Sequence, residues 1–112
     1  MSKVNRNWFD EVAYPVTVCD KNGVIVYMNR ASIEEFESDG GNKLLGKSLF
    51  DCHPEPARAM LIEMLAKQLP HTYISTSAGE QHFVHETPWF ENGEYKGLVE
   101  ISINITNLDI LK

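Results

Sequence analysis

An α+β domain, a five-stranded antiparallel sheet with short helices and one longer helix on one face, is what three features of this sequence predict. Two β-branched and aromatic runs, Val16–Cys19 and Val24–Met28, come early; an apolar helical stripe from Ala57 to Leu69 occupies the middle; three runs of period-two alternation follow, at His71–Ser77, Gln81–Phe90 and Lys96–Thr106. The 112 residues suffice for one hydrophobic core and leave no room for a second. A single domain is therefore expected over 1–112, with 1–15 as an N-terminal helix or cap, 16–106 as the core and 107–112 as the start of a further helix.

Each element has a local cause. Trp8, Phe9, Val12 and Ala13 recur at helical spacing before Pro15, which predicts a short amphipathic helix from Asn5 to Ala13. The first two strands are joined by Asp20-Lys21-Asn22-Gly23, where Gly23 supplies the positive φ that a tight reversal needs. Asn29 can cap a helix running to about Phe36, with Ile33 and Phe36 turned inward and Glu34, Glu35 and Glu37 wet. The Gly-punctuated stretch from Asn42 to His53 has room for one or two helical turns. Met60, Leu61, Met64, Leu65 and Leu69 make the apolar stripe of the long helix, and Pro70 stops it.

In the last run Val99, Ile101, Ile103 and Ile105 share one face and Glu100, Ser102 and Asn104 the other, which predicts the isoleucine side as core and the polar side as solvent or partner surface. Thr106 and Asp109 resemble a capping box ahead of Leu108, Ile110 and Leu111. A helix opened there and cut after about one turn is not stable alone, so the chain is expected to be a piece of a longer protein.

Composition narrows the function classes. A net charge of -6, from 10 basic and 16 acidic side chains, disfavours nucleic acid or an anionic membrane as partner. No apolar run is long enough to span a bilayer and no signal-peptide pattern is present, so a cytoplasmic location is expected, and the two cysteines, Cys19 and Cys52, suit a reducing compartment. Zinc is disfavoured: adjacent Cys52 and His53 diverge, and His82 and His85, three apart on a strand, face opposite sides. Neither a nucleophile elbow nor a phosphate-cradling glycine loop occurs, so no catalytic residues are assigned and no enzyme activity is expected.

Gly23-Val24-Ile25-Val26-Tyr27-Met28-Asn29-Arg30-Ala31, Leu45-Gly46-Lys47-Ser48-Leu49-Phe50, the turn Gly93–Gly97 and the ending Asn104-Ile105-Thr106 follow one another in an order and spacing that resemble the PAS sensor family over roughly Asn5–Thr106. Asn104 stands where that family usually has Asp. The resemblance implies a signal-sensing module that binds a small ligand or partner in a hollow and relays to an output domain of a sensor kinase or transcriptional regulator; the alternative is a ligand-free dimerisation scaffold. It also implies a homodimer, with Trp8, Trp89, Phe90 and Tyr95 either at the dimer contact or covering their own sheet.

The hollow is expected to be lined by Val18, Val26, Phe36, Leu49, Met64, Ile101 and Ile103, with His53 and, if Phe83 points inward, His85 as polar contacts, and Asn104 and Thr106 carry the signal onward. The cofactor stays open. His53 could serve as an axial haem ligand, but hydrogen bonding at a helix entrance is the favoured reading of it. Flavin adduct chemistry is disfavoured, because Gly46 is followed by Lys47-Ser48-Leu49-Phe50 rather than by a reactive cysteine.

Overall fold

The computed structural model describes residues 7–111. Five strands, β1 (Val16–Asp20), β2 (Ile25–Met28), β3 (His71–Ser77), β4 (Glu80–Glu91) and β5 (Glu94–Asn104), form one antiparallel sheet in the order β2-β1-β5-β4-β3. The helices α1 (Arg30–Glu35), α2 (Leu49–Cys52) and α3 (Ala57–Lys67) all lie in the connection between β2 and β3. Because that connection joins the two edges of the sheet, it must pass over a face, and its helices cover that face. The chain's first and last strands meet in the middle, with Val16 opposite Ile101 and Asp20 opposite Gly97.

Asn29 is the main polar fastener. Its Oδ1 accepts from Ser32 N, capping α1, and from Val16 N, both at 2.9 Å, while its Nδ2 donates to the carbonyls of Phe9 and Tyr14, also at 2.9 Å. Buried and fully bonded, one side chain ties the N-terminal segment, β1 and α1 together. The same bonds correct the expected helix over Asn5–Ala13: the described part holds only a 3-10 turn at Trp8–Asp10, since the Phe9 carbonyl is given to Asn29 instead of a helical ladder, and Asn5 and Arg6 lie outside the described residues.

The apolar core gathers where α3 crosses β1 and β5. Cys19, Leu61, Met64, Leu65 and Leu98 are buried together, with Leu49 and Phe50 packed against them. Only Leu61, Met64 and Leu65 of the helical stripe are buried; Met60 and Leu69 stay exposed, because α3 rests on the sheet along that single line. Gly97 permits the close approach of β5 to β1: a Cβ there would stand 2.1 Å from the Cys19 carbonyl oxygen. That carbonyl in turn accepts from Trp89 Nε1 at 3.1 Å, and the Tyr95 hydroxyl donates to the Leu65 carbonyl at 2.8 Å. These two aromatics thus serve their own fold, whereas Trp8 and Phe90 are exposed.

β5 ends differently from expectation. Residues 107–111 hold no helix; Thr106 Oγ1 accepts from Gln81 N and donates to Asn104 Oδ1, so its hydroxyl is committed to the sheet and caps nothing. A lone turn lacks the packing that would stabilise it as a helix.

The larger correction concerns the faces of β5. Leu98 joins the core, and Leu98, Glu100 and Ser102 look toward the helices, whereas Val99, Ile101 and Ile103 lie on the opposite, outer face. Alternation sets two faces apart but does not say which is inside, and here the apolar one is outside.

Candidate functional site

Between the sheet and the helices lies a cavity of about 790 Å³, within the range of sites that enclose a small molecule. Its apolar wall comes from Phe36, Leu44, Leu49 and Leu61. Its floor is the inner face of β3, β4 and β5, and strand register sets the side chains in rows: Tyr73, Val84 and Ser102 in one, His71, Glu86 and Glu100 in the next. Ser75 and His82 continue the floor toward the sheet's end. The wall is what a core would be; the floor is not.

The floor's electrostatics follow from that register. Glu86 and Glu100 are directly opposite across β4 and β5, a like-charge pair on one face. Burial first, and then Glu86 and Glu35, push the Glu100 carboxyl up to about 7. Burial also raises Glu86, opposed chiefly by His71, whose Nδ1 stands 3.5 Å from a Glu86 carboxylate oxygen. Glu35, at the rim, is raised by desolvation and eased by His82. Tyr73 is pushed up to about 12 by burial and then by Glu100, Glu86 and Glu35. Cys19 is pushed up to about 11, mainly by burial, which leaves its thiol protonated and unreactive at neutral pH.

Of the side chains expected in the hollow, Phe36, Leu49 and His53 line it. His53 Nδ1 donates to the Leu49 carbonyl at 2.7 Å, across the end of α2. The others lie elsewhere. Val18, His85, Ile101 and Ile103 are on the outer face, displaced by the inverted parity of the strands, and Phe83 points outward with them. His85 Nδ1 is hydrogen-bonded to Thr72 Oγ1 there. Val26 is exposed on the edge strand β2, and Met64 is buried in the core beneath α3.

Sequence reasoning passed over Glu35, Tyr73, Ser75, His82, Glu86, Glu100 and Ser102, all of which line the cavity. A usable cue was present: in β4 the residues flanking Val84 on its own face are His82 and Glu86, too polar for a sealed core. The set equips the cavity to hold a ligand by charge and hydrogen bonding. Among the described residues, no group of three or more His, Cys, Asp or Glu side chains is placed to grip a metal ion.

A polar path leaves the cavity toward the end of β5. Glu80, in the lining, accepts from Asn104 Nδ2 at 2.7 Å, and Asn104 Oδ1 accepts from the Thr106 N–H at 2.9 Å and its hydroxyl at 2.6 Å. Glu80 and Asn104 thereby connect the lining to the residues that follow the sheet.

A single sheet whose central strands are the first and last in sequence, with helices enclosing a hollow on one face, is the architecture of a sensory-type α+β module. A family model described as PAS fold matches residues 9–109, and the chain belongs to that family. Solved structures agree. The PAS domain of Bordetella pertussis BvgS superposes with a TM-score of 0.66 at 26% identity, covering 92% of this chain and 85% of that one. The Vibrio cholerae Aer2 receptor, described as a dual PAS-heme oxygen sensor, gives 0.64 at 21% identity over 82% of this chain and 94% of its own. The Vibrio cholerae VqmA dimer gives 0.65 at 20% identity, covering 95% of this chain and 52% of that one. No curated protein matches the chain by sequence. Among the described residues no helix is long and apolar enough to cross a membrane.

Proposed function

We propose that this chain is the sensory input module of a larger signalling protein, a sensor kinase or a transcriptional regulator in the cytoplasm. A small molecule occupies the hollow and shifts the packing of the end of β5, where Asn104 and Thr106 hand the change to an output domain. The observation that carries this is a cavity of about 790 Å³ floored with polar side chains and joined through Glu80 to Asn104. Binding alone does not signal; the ligand must favour one arrangement of that strand end over another. Its role is binding, not catalysis. The acidic floor is a poor seat for an anionic cofactor such as haem, whose carboxylates would meet Glu86 and Glu100.

The module works as a homodimer through its outer sheet face. Ile74, Phe83 and Ile103 are cross-strand neighbours in one row over β3, β4 and β5, and all three are exposed. Native mass spectrometry of the protein purified from its own source tests the proposal. Dimers heavier than two bare chains, by a constant small mass lost on denaturation, are expected; dimers of bare mass only would favour a ligand-free scaffold.

A further inference from the structure

The hollow is charged in a way that specifies its occupant. Five carboxylate side chains line it, Glu35, Asp39, Glu80, Glu86 and Glu100, together with two imidazoles, His53 and His82, and neither a lysine nor an arginine. Glu86 has an ion-pair partner in His71 and Glu80 a hydrogen bond from Asn104. Glu100, directly opposite Glu86 on β5, has neither among the described residues, although it is half-buried.

Ser102, two residues along on the same face, provides an independent indication. It is only 7% exposed, it lines the cavity, and its hydroxyl takes no hydrogen bond within the described protein. No sealed-off side-chain oxygen among the described residues lacks a hydrogen-bond partner, so this hydroxyl opens into the hollow, where its natural partner is a polar group. The helical connection opposite the sheet adds apolar surface from Phe36, Leu44 and Leu49. The sheet side is therefore anionic and hydrogen-bonding, and the connection facing it is greasy at Phe36, Leu44 and Leu49, with Glu35 and Asp39 adding charge there.

Resting on the sensory reading, we infer that the ligand is a small organic cation, an ammonium or amidinium group on a compact apolar body, with its charge between Glu86 and Glu100, a hydrogen bond to Ser102 and its body against Phe36 and Leu49. A cation relieves the repulsion between Glu86 and Glu100, and the low-dielectric surroundings strengthen the attraction. An anion meets the reverse on both counts.

Three probes sharing one body separate charge from shape: 2-phenylethylamine, 2-phenylethanol and phenylacetate, titrated calorimetrically at about pH 8, where Glu100 is ionised. The amine is expected to bind at least about tenfold more tightly than the alcohol, and the carboxylate not measurably. Glu86→Gln and Glu100→Gln, which keep shape and remove charge, should each bring the amine close to the alcohol while leaving the alcohol unchanged, and their melting curves confirm that they fold. Alcohol or carboxylate binding as tightly as the amine, or amine affinity that survives both substitutions together, overturns the inference and leaves the sensory reading standing. Failure of all three probes overturns it as well, and the native mass measurement then judges the sensory reading separately.

Discussion

Along its helix-facing side β5 passes through two environments in succession. At Gly97 and Leu98 the strand is pressed against β1 and sealed beneath Leu61 and Leu65, with Trp89 and Tyr95 bonding carbonyls nearby. At Glu100 and Ser102 the same face opens into the hollow and carries groups that the protein leaves unneutralised or unbonded. Apolar packing is concentrated in the first stretch and open polar groups in the second. In the proposed relay the sealed end stays fixed while the open end responds and passes the change on to Asn104.

The comparison can be broken most severely at the sealed end. Gly97→Val forces a Cβ against the Cys19 carbonyl and should cost more than about 4 kcal/mol or abolish folding, seen as loss of a cooperative thermal transition. Asn29→Ala removes four hydrogen bonds from a buried hub and should cost roughly 3 kcal/mol by urea unfolding.

At the open end the sign reverses. The Glu100 carboxyl is raised from 4.5 to about 7, so between those values the native state holds a proton that the unfolded chain has released, and stability falls as pH rises through the window. The contribution is at most about 3 kcal/mol, and Glu100→Gln should remove its part of the slope. The smallest stability effect is expected on the outer face. Phe83→Glu should change stability by less than about 1 kcal/mol yet turn the proposed dimer into a monomer in analytical ultracentrifugation.

Most of the fold is legible in the sequence because its signals are local. Asp20-Lys21-Asn22-Gly23 makes the first turn, with Gly23 at φ 81, and Asn29 caps α1. The period-two runs end within a few residues of the strands observed. What fails is non-local. Whether Ile101 or Glu100 looks inward depends on which face the β2–β3 connection covers, and nothing within β5 encodes it. The isoleucines read as core because burial is the usual fate of alternating apolar residues, whereas in this domain a polar-floored hollow takes the inner position. Four of the nine expected lining residues, Val18, His85, Ile101 and Ile103, therefore fell on the wrong face, while Phe36, Leu49 and His53, which come from the helical connection, fell within the cavity. Gly97 reads in the sequence as the end of a turn, whereas it lies within β5 against β1, for the same reason: its neighbour, the Cys19 carbonyl, is distant in sequence.

Which side of β5 faces inward underlies the cavity, its charge and the proposed relay alike. The carboxyl carbon of Glu100, followed by NMR through a pH titration, reports it directly. Titration near 7 is the result this account predicts. A midpoint close to 4.5, the value of a carboxylate in water, would put Glu100 in solvent and the isoleucines inside, and would contradict it.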